Sequence, residues 1–72
     1  MNSKMITVIK ELRLSKNLTQ KELADKLNMT QRAYSFYETG RNEPNIDTLI
    51  RLADIFGVSL DILTGRYIKS EK

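Results

Sequence analysis

Apolar residues in this chain fall into five short groups, each repeating at three or four positions and each followed by an Asn or a Gly. Met5, Val8, Ile9 and Leu12 make the first stripe and predict a helix over Met5–Lys16, with Ser3 as its cap. Lys16 places positive charge at the negative end of its dipole, and Asn17 accepts the left-handed conformation that ends it. Leu23, Ala24 and Leu27 predict a second helix over Gln20–Leu27. Thr19 and Glu22 stand at the spacing of a T-x-x-E capping box, and Leu18 and Leu23 at that of a hydrophobic staple. Thr30 caps a third helix over Gln31–Glu38, with Met29 and Tyr34 as its staple and Tyr34 and Tyr37 on its inner side. Only Asn28 and Met29 separate these two helices. Asn tolerates a left-handed backbone, so the turn is sharp.

Thr39-Gly40 closes the third helix, Gly40 supplying the positive φ of the exit. Arg41 to Pro44, RNEP, is a polar surface connector, and Pro44 forbids a continuous helix across it. Asn45 caps a fourth helix that is read as carrying Ile46, Leu49, Ile50, Leu52, Ala53 and Phe56 inward. Gly57 closes it, Ser59 caps a last short helix over Leu60–Thr64, and Gly65 stops that one. No strand pattern, repeat or linker interrupts the series. The expectation is an all-α, compact five-helix domain over residues 1–66, with a helix-turn-helix at Thr19–Glu38 and a short tail over 67–72.

Composition narrows the chemistry. A chain of 72 residues buries only roughly 60% of its unfolded surface, so stability is modest and rests on packing alone, because there is no Cys. Histidine is absent as well, which removes the commonest general base and metal ligand and argues against an enzyme. No apolar run approaches a membrane span and the first sixteen residues do not read as a signal peptide, which points to a cytoplasmic protein. Lys and Arg number 12 against 9 Asp and Glu, for a net charge of +3. That balance permits a nucleic-acid partner without demanding one. The placement of Lys21, Arg32 and Arg41 around the central motif says more than the sum.

The stretch LTQKELADKLNMTQRAYSFYETGRNEPNIDTLIRLADIFGVSLDIL resembles the Cro/C1-type helix-turn-helix family of prokaryotic and phage repressors, also called XRE-like. The likeness spans about residues 5–65 and rests on Leu23, Leu27, Met29, Tyr34 and Tyr37, on the small Ala24 at the helix crossing, on YETGRNEP and on LADIFGVSLDIL. Family members often carry Gly in the turn where this chain has Asn28. The resemblance implies a lambda-repressor-like fold with the third helix in the major groove of double-stranded DNA, where the solvent face of its N-terminal end meets bases. Gln31 and Arg32 occupy that face. An Arg fork matches the O6 and N7 of guanine, and a Gln amide the N6 and N7 of adenine. Ser35 and Phe36 follow one turn on. Phe36 faces outward, either to a thymine methyl or to pack on the second helix or on Arg32.

The same resemblance assigns phosphate contacts to Gln20, at the start of the second helix, and to Thr39, Arg41 and Asn42 after the third; Lys21 beside Gln20 adds a charge or is an ordinary solvated Lys. It further implies a partly buried salt bridge between Arg13 and Glu38, whose disruption costs roughly 3–5 kcal/mol if fully buried. One reading helix covers few base pairs, whereas a two-fold pair grips successive major grooves about 34 Å apart, so a homodimer is expected. Val58, Leu60 and Ile62, extended by Tyr67 and Ile68, are the candidate interface. The resulting expectation is a sequence-specific transcriptional regulator, acting as a repressor at a palindromic operator, with no cofactor, metal or small-molecule ligand. The alternative is an antitoxin-like or protein-interaction partner whose DNA binding is secondary.

Overall fold

The computed structural model of the chain describes residues 3–65. Over that span it is all-helical: α1 (Ser3–Ser15), α2 (Gln20–Lys26), α3 (Gln31–Thr39), α4 (Ile46–Phe56) and α5 (Leu60–Leu63). Among the described residues Ser3, read as the cap of α1, is already helical. The side chains of Thr19, Thr30, Asn45 and Ser59 each accept a hydrogen bond from the backbone N–H three residues on, at Glu22, Ala33, Thr48 and Ile62. Each satisfies one of the amide donors that a helix start leaves without a partner. At α2 the box is complete, because the Thr19 N–H donates to Glu22 Oε1 at 2.8 Å.

The exits are as regular as the entries. Asn17 and Asn28 have φ of 58°. Behind them, the Leu18 N–H reaches the Arg13 carbonyl at 3.2 Å and the Met29 N–H the Ala24 carbonyl at 3.0 Å. These are Schellman turns, which reverse the chain within a few residues and satisfy carbonyls the helix leaves open. Gly40 ends α3 at φ 84°, where a Cβ would also stand 3.0 Å from the Ile6 side chain. A larger residue there meets strain and crowding at once.

The core draws on every helix. Met5, Ile9, Leu23, Ala24, Leu27, Tyr34, Tyr37, Leu52, Ala53, Phe56 and Leu63 are buried, with Leu12, Leu18, Met29, Leu49, Ile55 and Val58 packed around them. Helix α3 packs on α1 and α2, while α5 packs on α1 and α4. Tyr34 and Tyr37 meet edge to face with ring centroids 6.0 Å apart, an arrangement that sets the positive edge of one ring against the negative face of the other.

Helix α4 departs from expectation. Ile46 and Ile50 are 60% and 44% exposed, not turned inward. At about 100° per residue, Ile50 lies about 110° around the helix from the Leu49–Phe56 stripe. A helix covered on one side buries only that stripe. Pro44 differs in the other sense: it is buried while Arg41, Asn42 and Glu43 are exposed, so the connector is anchored at one point. Tyr67 and Ile68 lie outside the described residues. Among the described residues, no helix is long and apolar enough to cross a membrane.

The turn between α2 and α3 offers a direct check. Asn28→Ala is expected to cost about 1 kcal/mol, since a plain Cβ at φ 58° keeps the left-handed penalty without the polar side chain that eases it. Asn28→Gly should leave stability equal or slightly higher. Urea unfolding of the three proteins, followed by circular dichroism, measures the order.

Candidate nucleic-acid interface

The third helix divides its residues by face. Tyr34 and Tyr37 are buried, while Gln31 and Arg32 at its N-terminal end are exposed. No acidic residue lies in its first turn, so nothing on the helix itself opposes an anion at the positive end of its dipole. Ser35 is half buried, and its hydroxyl donates to the Arg32 carbonyl at 2.7 Å. That bond uses its one proton and leaves the oxygen's lone pairs to accept.

Phe36 is half buried. The Arg32 guanidinium carbon sits over its ring at 5.7 Å from the centroid, and that of Arg41 at 4.9 Å. Both distances are within the range in which the ring's negative face attracts a cation. Arg32 reaches the ring from one turn back on the same helix. Arg41 reaches it because the left-handed Gly40 turns the chain back, the Arg41 N–H donating to the Phe36 carbonyl at 2.9 Å. The contact with Arg32 was one of the two readings of the sequence. That with Arg41 was not foreseen; the Gly40 turn was the available signal.

Behind this face lies a polar cluster centred on Glu38. Arg13 donates through Nε to Glu38 Oε2 at 2.7 Å and through Nη2 to Oε1 at 3.3 Å. Gln20 Nε2 donates to Oε1 at 3.0 Å, and the Tyr34 hydroxyl makes a short hydrogen bond to Oε2. The third Arg13 nitrogen donates to the Leu18 carbonyl at 2.8 Å. Both charged side chains are less than a tenth exposed. Burial alone pushes the Glu38 carboxyl up, but the bonds from Arg13, Tyr34 and Gln20 outweigh it and hold the group below its ordinary value. The bond to Glu38 raises Arg13 against the effect of burial. Burial, with the Glu38 carboxylate as acceptor, raises Tyr34 well above the ordinary phenol value, so it stays a neutral donor.

The sequence reading missed two of these partners, although Tyr34 and Glu38 stand four apart on one helix and were therefore neighbours in principle. Gln20 is the more informative case. One of its two amide protons is committed to Glu38, which fixes the orientation of the amide and leaves a second N–H to donate outward. Lys21 pairs with Asp25 at 3.4 Å, with both side chains about two-thirds exposed. Such pairs are worth only about 0.3–0.5 kcal/mol. Thr39 is exposed, its hydroxyl donating to the Phe36 carbonyl at 3.3 Å, while Arg41 and Asn42 are exposed in the loop that follows. The structure thus brings Arg13, Gln20, Tyr34 and Glu38 into one cluster and Arg32, Phe36 and Arg41 into another.

Comparison with known proteins fits this geometry. A helix-turn-helix family model matches residues 9–63. The chain belongs to the Cro/C1-type helix-turn-helix family. It is similar to the HTH-type transcriptional regulator YqaE of Bacillus subtilis, 49% identical over 55 residues, which are 76% of this chain and 47% of YqaE. It is also similar to the cryptic phage CTXphi transcriptional repressor RstR of Vibrio cholerae, 34% identical over 76% of this chain and 49% of that protein. In three dimensions it resembles a transcriptional regulator from Listeria innocua, with a TM-score of 0.81 and 31% identity across 94% of this chain and 63% of the other. The chain spans about half the length of the curated relatives it matches. The family is one of DNA-binding proteins, not of enzymes.

The Glu38 cluster makes a pH-dependent prediction. Glu38→Gln strands the Arg13 charge and is expected to cost roughly 3–5 kcal/mol at neutral pH. Because the folded pKa of Glu38 is below its ordinary 4.5, this stabilisation is present above pH 4.5 and is lost as pH falls through the folded value. The stability gap between the native protein and E38Q, from denaturant unfolding at stepped pH, should therefore close only below pH 4.5.

Proposed function

We propose that this protein is a cytoplasmic transcriptional regulator that binds a palindromic operator as a homodimer, with α3 in the major groove. The observation that carries the reading is the division of α3: its inner face is locked into the core while Gln31 and Arg32 stand exposed at its N-terminal end. Rigid backing with outward-facing forked side chains is what base recognition needs. Arg32 is assigned to a guanine, Gln31 to an adenine, and Ser35, with its lone pairs outward, to a base amino group. Phe36 faces the groove beside them.

Phosphates flank this reading head. Gln20 donates its second amide proton to one strand, supported by Lys21, while Arg41 and Asn42 hold the other, joined by Thr39 once its hydroxyl turns from the Phe36 carbonyl to the phosphate. The N-terminal amides of α2 are partly used by its own capping box and face the Glu22 carboxylate, so the Gln20 side chain carries that contact. Residues 1–66 form the DNA-binding unit and 67–72 a tail. Leu60 and Ile62, each 37% exposed, and the half-buried Val58 form the self-complementary patch among the described residues. Occlusion of a promoter makes the protein a repressor, the role for which its relative RstR is named.

Selection of bound duplexes from a random pool yields the operator and tests the reading; absence of any salt-dependent retention on DNA overturns it. On the selected site, Arg32→Ala is expected to relax preference at one position of each half-site, by about 1–3 kcal/mol. Arg41→Ala is expected to weaken all sequences alike and to reduce the salt slope by about one. Ile62→Glu should shift sedimentation equilibrium toward monomer and weaken operator binding without changing base preference.

A further inference from the structure

We propose that Phe36 is a positioning residue, a shared platform on which Arg32 and Arg41 are held in register, so that base reading and phosphate anchoring are coupled before DNA arrives. This inference rests on the DNA-binding reading above and assigns to Phe36 a task other than direct base contact. Two guanidinium groups lie over one ring, at 5.7 and 4.9 Å from its centroid. One belongs to the reading helix and the other to the loop beyond Gly40, so the ring links the two elements that meet DNA.

Arg32 and Arg41 carry like charges, which in free solution favour separation. The ring offsets that tendency because its quadrupole attracts both. Each side chain otherwise samples many rotamers, and binding DNA immobilises them at an entropic cost. Resting on the ring removes part of that freedom in advance, while the planar forks keep their N–H donors free at the edge. Phe36 is itself held, since its helix is fixed by buried Tyr34 and Tyr37 on either side in sequence. A small polar residue at this position leaves the two arginines independent.

The test is a double-mutant cycle on the selected operator, with Arg32→Ala and Arg41→Ala measured alone and together, in the native background and again with Phe36→Leu. Leu keeps apolar volume and helix propensity but has no π face. The expected result is non-additivity in the native background, the combined loss being about two- to five-fold smaller than the product of the single losses. In the Phe36→Leu background the two losses should multiply. Ring-current shifts of the Arg32 and Arg41 δ protons in the free protein, lost in F36L, give a readout without DNA.

Multiplicative losses in the native background overturn the platform, as does an unchanged coupling in F36L accompanied by altered preference at a single thymine, which marks Phe36 as a direct reader. Both leave the DNA-binding function standing. Failure of the native protein to bind any duplex overturns that function and the platform with it.

Discussion

The Glu38 carboxylate is the point on which the interface depends. It accepts from the guanidinium of Arg13 on α1, the amide of Gln20 on α2 and the hydroxyl of Tyr34 on its own helix. A buried charge is costly unless its attraction to a partner and its hydrogen bonds outweigh the water it has lost. Here the donors come from α1, α2 and α3, so the polar cluster fixes three helices relative to one another. Among the described residues, no buried side-chain nitrogen or oxygen is left without a partner. Apolar packing alone tolerates small sliding of short helices; a carboxylate with directional bonds to three elements does not.

That rigidity matters because the outward face has little else to define it. Helix α3 has only nine residues, too few to be stable by itself. Its shape comes from the Thr30 cap, the buried tyrosines and the Gly40 exit, and those constraints leave Gln31 and Arg32 free to face outward. The Gly40 turn then folds Arg41 back over Phe36. A local backbone requirement thereby determines which charged side chain lies beside α3.

Much of the fold was legible because helix starts and stops are decided within a few residues. Thr19, Thr30, Asn45 and Ser59 each precede an amide they can satisfy, and Asn17, Asn28 and Gly40 are residues that tolerate positive φ. Elsewhere the sequence misled. Ile46 and Ile50 extend the apolar pattern of α4 but point to solvent, since hydrophobicity marks a candidate face and only the neighbouring helix decides how much of it is covered. Of the site, the outward position of Gln31 and Arg32 followed from the inward spacing of Tyr34 and Tyr37. Gln20 was assigned only to a phosphate, and its bond to Glu38 went unread because that partner stands eighteen positions away.

By itself, then, the amino-acid order determined five helices, the caps of four of them, the sharp turn at Asn28, the inner and outer faces of α3 and, through its motif residues, the family. These are consequences of interactions that span three or four residues along the chain. Tertiary structure decided what those faces meet: the convergence of Arg13, Gln20 and Tyr34 on Glu38, the exposure of Ile46 and Ile50, the burial of Pro44 and the placing of Arg41 over Phe36. Such contacts depend on the relative positions of separate elements, and no local pattern encodes those positions until the core has packed.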